Sequence, residues 1–224
     1  MFYDPIYYLY LLPALLFAAI AQIWISTSYS KYSKIPSSTG ETGESSAEII
    51  MKGEDFPVDI EIKGKALSDY YDPKRNIVSL STSSKNSSIG DIAVVAHEFG
   101  HVQQKFTSSF LFKVRTGLVP IINITSKVGY ILIILGLILQ LFQLSEIGLI
   151  LFAGSTLFAF ISIPIELDAT KRGLALIKKY KLLGKDQISG AKSVLYSAAF
   201  TYVAALLSSL LNLLYYASLV KRKN

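Results

Sequence analysis

The sequence predicts a mainly α integral membrane protein, with about four transmembrane helices and a small α+β portion that contains a short β-sheet. Hydrophobic residues make up 51% of the 224 and charged residues only 17%, against roughly 25% charged in ordinary soluble domains. The apolar residues gather in long uncharged runs, as bilayer spans require. Between the first two runs lies a polar interval with two short alternating segments, the period of half-buried strands.

The first run, residues 6–26, follows FYDP and carries Trp24 near one end and several tyrosines near the other, the placing of interfacial aromatics on a spanning helix. No Lys or Arg precedes Lys31, so a retained anchor over residues 1–27 is expected in place of a secretory signal. Residues 28 to about 90 are polar: SSTGETGESS reads as a loop and residues 47–52 as a short helix. VDIEIK (58–63) and NIVSLS (76–81) read as strands joined by a turn-rich connector.

Residues 128–144 and 147–165 hold no charge, with Ser145 and Glu146 between them. At 1.5 Å per residue these runs reach about 25 and 28 Å, enough to cross the hydrocarbon core, so a transmembrane hairpin over 117–165 is expected with its turn at Ser145-Glu146. The stretch 117–127, interrupted by Pro120, Asn123 and Lys127, fits either the interface or an extension of the second span. A basic amphipathic stretch at 171–192 precedes the last span, 194–220, so 166–193 is expected as a cytoplasmic helix and 194–224 as a C-terminal transmembrane helix with a basic tail.

Eleven Lys and Arg lie between the first and second spans and seven between the third and fourth, against three in the tail. By the positive-inside rule both large loops, 28–116 and 166–193, face the cytoplasm. A net charge of +6 raises the question of nucleic acid, but these charges flank apolar segments and form no basic face with interleaved aromatics, so no nucleic-acid partner is expected. The lipid bilayer is the partner they imply.

The chemistry concentrates in DIAVVAHEFGHVQQK (91–105), where His97, Glu98 and His101 form H-E-x-x-H; no other histidine occurs. On a helix the histidines share one face a turn apart, where two neutral imidazoles can hold one metal ion. Glu98 lies about 100° round the helix and can meet water at the same ion. With no cysteine in the chain, every ligand must be His, Asp or Glu. Two imidazoles and one carboxylate suit a single Zn2+, with a fourth position left for water and Glu98 as general base. The apolar run Ile92 to Ala96 carries the motif into an interior, where unpartnered polar groups would be costly. Ser88, three residues before Asp91, resembles a capping box that starts the helix.

A third ligand must come from elsewhere. A hairpin that crosses twice returns the chain to the face of His97 at PIELDATKRG, with Pro164 at the first position of a new helix. Glu166 and Asp168 point about 200° apart on such a helix, so only one can face the metal. Glu166 is assigned as ligand, and Asp168 as the residue that orients a histidine or pairs with Arg172 four residues on. The same carboxylates also read as ordinary acids at a helix N-terminus. For the oxyanion of a tetrahedral intermediate, Tyr70, Tyr71, Arg115 and Arg172 are candidate donors. DYYDP also reads as a tyrosine-rich turn with Asp72-Pro73 as its corner, and an exposed strand edge near it would accept an extended substrate.

The chain resembles the YugP-like membrane zinc metallopeptidases, a bacterial family of neutral zinc metallopeptidases. The resemblance rests on KYSKIPSSTGETG, LSDYYDPKRNIVSLS, IAVVAHEFGHVQQ, VRTGLVPIIN and PIELDATKRGLALI, in that order. It implies a zincin-like catalytic portion and a zinc-dependent endopeptidase of peptide or protein substrates, some of them membrane-associated. His97 and His101 would be ligands, Glu98 catalytic and Glu166 the third ligand, in a multi-pass protein of the bacterial plasma membrane. Two departures stand out: Tyr70 where the family usually has His, and Thr170 four residues after Glu166 where many soluble zincins carry Asp. The rival reading is a membrane scaffold or chaperone-like binding protein with a structural zinc, which normally needs four protein ligands. A transporter is disfavoured because Lys127 is the only charge within the expected spans.

Overall fold

The computed structural model describes residues 5–223, and side chains from 6 to 221; residues 1–4 of the expected anchor, and 224 of the expected tail, lie outside this range. Six α-helices are described: α1 (Pro5–Tyr32), α2 (Gly43–Glu54), α3 (Ile89–Phe106), α4 (Phe110–Leu139), α5 (Phe142–Lys179) and α6 (Ile188–Lys223). A mixed sheet is formed by β1 (Asp59–Ile62), β2 (Tyr70–Asp72) and β3 (Ile77–Leu80). Helices α1, α4, α5 and α6 are each long and apolar enough to cross a membrane. The protein is a mainly α membrane protein with a small α+β portion, as composition and patterning predict.

The residues form two compact units: one takes residues up to 22, 114–164 and from 200 on, the other 23–113 and 165–199. In the first, large apolar side chains such as Leu9, Ile138, Ile150 and Phe160 remain exposed, as lipid-facing surface does. Helices α4 and α5 meet where a Cβ on Gly129 would come 2.7 Å from the Gly148 carbonyl, and one on Gly148 equally close to that of Gly129. Small residues let backbones approach in lipid, where no hydrophobic force drives helices together. Thr156 and Ser209 hydroxyls, 2.8 Å apart, link α5 to α6.

The turn between α4 and α5 lies at Gln140-Leu141, five residues before the expected Ser145-Glu146. Gln140 takes the left-handed conformation (φ 59°), and the Leu141 amide donates to the Gly136 carbonyl at 2.9 Å, closing α4. Ser145 is buried inside α5 and its hydroxyl donates to the Ile133 carbonyl at 3.3 Å. A serine satisfied in this way does not break a helix, so the polar pair marked no boundary. Residues 117–127 extend α4, with Pro120 inside it.

A second correction concerns Pro164, which starts no helix: α5 runs 38 residues without a break. Helical residues on both sides outweigh the one backbone hydrogen bond that proline removes. At 1.5 Å per residue α5 is about 57 Å long, nearly twice the hydrocarbon core.

In the second unit β3 is the central strand, parallel to β1 (Asp59 beside Ile77, Ile62 beside Leu80) and antiparallel to β2 (Tyr70 beside Ser79). The expected connector thus contains a third strand, too short at three residues to show alternation. Asp72 Oδ1 accepts from the amides of Lys74 and Arg75, so the corner after Asp72-Pro73 is an Asx turn. Val78 and Leu80 of β3 pack in a core shared with Ile50 of α2 and Ile92 and Phe99 of α3, all fully buried. Helix α3 is buried on nearly every side. Ser88 caps it, its Oγ accepting from the Asp91 amide at 3.0 Å. The Asp91 carboxylate then accepts from the Tyr29 hydroxyl at 2.6 Å and from Ser88 Oγ. That network ties the end of α1 to the start of the motif helix.

Candidate metal centre

All residues of the candidate centre lie in the second unit, on α3 and the last part of α5. The two helices touch through small residues. A Cβ on Gly100 would collide with the Ala169 carbonyl, and one on Gly173 would come within 2.8 Å of the Ala96 carbonyl. The four-residue spacings Ala96/Gly100 and Ala169/Gly173 therefore fit together as facing rows. His97 and His101 each follow a contact residue on α3, and Glu166 lies three residues before Ala169, so close crossing carries the carboxylate to the imidazoles.

The outcome is a group of three donors. Nitrogen or oxygen atoms of His97, His101 and Glu166 lie within 4.8 Å of one another. Glu166 Oε2 is 3.2 Å from His97 Nε2 and 3.5 Å from His101 Nε2. Glu166 is 2% exposed and His101 9%. A buried carboxylate facing two imidazoles is the donor chemistry that suits zinc. The donors converge on one locus, so the residues present fit the ion.

Glu98 is buried beside this group, and burial pushes its carboxyl above the ordinary range, although the imidazoles of His97 and His101 pull the other way. Each imidazole also has a partner on its other nitrogen. His101 Nδ1 lies 2.9 Å from Gln104 Oε1. Thr170 Oγ1 stands 3.5 Å from His97 Nδ1, a hydroxyl at the position where many soluble zincins have Asp. Asp168 is not among the three donors. Its Oδ2 accepts from Arg172 Nε at 2.7 Å and from Gln104 Nε2 at 2.8 Å, so it reaches a histidine only through Gln104. That glutamine, fully buried, was given no role by sequence reasoning; its place three residues after His101, on the same helical face, was the available signal.

The other candidates are engaged elsewhere. The Tyr71 hydroxyl donates to Asn76 Oδ1 at 3.1 Å, and burial pushes its pKa up to about 12, which keeps it a donor. Tyr70 is exposed, with Lys63 Nζ 5.6 Å from its ring centre. Arg172 Nη1 donates to Gln103 and Thr107. Arg115 belongs to the first unit, its guanidinium 5.9 Å from the centre of the Tyr202 ring.

The crossing yields a prediction. Gly100→Ala sets a methyl group against the Ala169 backbone, which cannot rotate away as a side chain would. A cost of about 1–3 kcal/mol in stability is expected, together with loss of bound zinc as α5 is pushed off α3. Thermal unfolding and metal content of the purified variant check it; unchanged zinc would show that the contact does not set the site.

The profile of a family described as "Putative neutral zinc metallopeptidase" matches residues 7–221. A relative from Bacillus subtilis (strain 168), described as "Putative membrane protease YugP", is 35% identical over 196 residues, 87% of each chain. A comparison with solved structures returns no match. With the profile spanning nearly the whole chain and the relative covering most of it, the protein belongs to the neutral zinc metallopeptidase family.

Proposed function

We propose that the chain is a zinc-dependent endopeptidase that hydrolyses peptide or protein substrates at the cytoplasmic surface of the bacterial plasma membrane. His97, His101 and Glu166 hold one zinc ion, and Glu98 is the general base. The observation that carries this reading is a donor group of three: among the described residues no fourth His, Asp or Glu joins it. A structural zinc site is normally closed by four protein ligands, whereas a catalytic one leaves a position open. The scaffold reading is disfavoured on the same ground.

A zinc ion in this group supplies Lewis acidity toward the scissile carbonyl and makes attacking water acidic enough to react near neutral pH. The protein's side chains do the rest. Glu98 takes the proton from that water and returns it to the leaving amine, and its burial favours the protonated form it must pass through. His97 and His101 keep their Nε2 atoms toward Glu166, held from behind by Thr170 and Gln104. Zinc content of the purified protein, together with cleavage of a casein-type substrate with and without chelator, tests the proposal. About one zinc per chain and chelator-sensitive cleavage restored by zinc are expected; cleavage indifferent to chelation would overturn it.

Loops 28–116 and 166–193 are read as cytoplasmic from their Lys and Arg. The chain has no native cysteine, so single cysteines report topology cleanly. Lys74→Cys and Lys185→Cys, both at exposed positions, should be shielded from an impermeant thiol reagent in intact cells. Gln140→Cys, at the exposed α4–α5 turn, should be labelled. Labelling at Lys74→Cys would place the site on the outer face.

A further inference from the structure

We propose that Gln104 is a positioning residue for the metal centre, holding His101 in the tautomer that leaves Nε2 unprotonated and tying it to the Asp168–Arg172 ion pair. The inference rests on the zinc reading above and goes beyond it to how the ligand is held.

The hydrogen bonds leave one arrangement of protons. Gln104 Nε2 lies 2.8 Å from the Ile165 carbonyl oxygen and 2.8 Å from Asp168 Oδ2. An ionised carboxylate and a carbonyl only accept, so the two amide hydrogens must point at them. The Gln104 oxygen is therefore the atom left to face His101 Nδ1, 2.9 Å away. That oxygen can only accept, so Nδ1 carries the proton. In the neutral ring Nε2 then keeps its lone pair, and Nε2 is the atom facing Glu166 at 3.5 Å. A chain of partners with no hydroxyl in it cannot invert, which is what fixes the tautomer.

Residue type matters as much as place. Gln104 is fully buried, and an unpartnered amide there would be costly. Both of its N–H donors and its oxygen are engaged. A carboxylate at this position would still accept from Nδ1, but it would turn lone pairs toward the Ile165 carbonyl and toward Asp168. The far end of the chain is anchored too. Arg172 Nε donates to Asp168 Oδ2 at 2.7 Å, while its Nη1 donates to Gln103 Oε1 and Thr107 Oγ1 at 3.3 and 3.2 Å. The path leaves α3 at Gln104, runs through Asp168 and Arg172 on α5, and returns to α3 at Gln103 and to its C-cap, Thr107. This closed path gives Asp168 an effect on a histidine it does not touch.

The test uses full-length purified protein in detergent, with zinc affinity measured against a competing chromophoric chelator. Gln104→Met conserves volume and removes every polar contact; about 10- to 100-fold weaker zinc binding is expected, the usual loss for an outer partner of a ligand. Asp168→Ala should weaken zinc binding in the native background and add little to Gln104→Met, because its effect passes through Gln104. The second readout is nitrogen-15 NMR of the zinc-loaded protein, where two histidines give a simple spectrum. A slowly exchanging Nδ1 proton on His101 is expected in the wild type and fast exchange in Gln104→Met, a change that a loss of packing alone would not cause. If Gln104→Met does not fold, Gln104→Asn serves: one methylene shorter, it stays polar but cannot span His101 and Asp168, and the same losses are expected. Wild-type affinity in the folded Gln104 variant, or an equal penalty for Asp168→Ala in both backgrounds, would overturn the inference. Absence of zinc from the wild type would instead overturn the zinc reading itself.

Discussion

Glu98→Gln is expected to retain zinc and to lose peptide hydrolysis by at least two decades in kcat, with little change in KM. The amide has the shape of the carboxylate, so the neighbouring imidazoles keep their places, but it cannot take a proton from water. General base catalysis is commonly worth about 10²- to 10⁴-fold. Stability should move the opposite way. In the metal-free protein burial raises the Glu98 pKa, so the native state is favoured below the ordinary carboxyl range and loses that advantage as pH rises through the raised value. Glutamine has no such dependence. At neutral pH the metal-free variant should therefore unfold at the same temperature as the wild type or higher, a trade of stability for function often seen at active sites. Zinc content, steady-state kinetics and thermal unfolding are measured on one preparation. Normal turnover with zinc in place would show that another group is the base.

Glu166→Ala is expected to empty the site. It removes one of three donors from a group with no fourth among the described residues, and leaves two imidazoles that no carboxylate draws together. Asp168→Ala should instead keep much of the metal, because Asp168 contacts Gln104 and Arg172 and neither histidine. A loss of about 10- to 100-fold in affinity is the scale for such a partner. Measuring bound zinc in both variants at the same free concentration separates the carboxylates, which stand two residues apart on one helix. Full occupancy in Glu166→Ala with loss in Asp168→Ala would exchange their roles. Full occupancy in both would direct attention to Asp69, a half-buried carboxylate that accepts from the Ser81 amide at 2.8 Å and whose pKa burial raises.

Several features were legible from the chain alone because their causes are local. Long uncharged runs announce membrane helices whatever packs beside them. A four-residue spacing puts His97 and His101 on one face of any helix that contains them. Ser88 caps α3 through an amide three residues away, again a matter of one turn. Even the return of Glu166 toward the histidines followed from counting two crossings, although the turn between them was placed five residues late, because a buried serine such as Ser145 can hide its polarity by bonding within the fold.

Other features have causes that no local window contains. Strand β2 is three residues long and exists because β3 offers it a ladder. Pro164 reads as a helix start, yet the helical segments on either side carry α5 through it. Gln104 resembles any polar residue of a helix until Ile165 and Asp168, more than sixty positions away, occupy its amide hydrogens. The sequence by itself determined the membrane class, the motif and the kind of donors available. The tertiary structure decided how near the Glu166 carboxylate comes to the imidazoles, because that depends on how closely α3 and α5 can cross. Gly100 and Gly173 set that distance by having no side chain to hold the backbones apart.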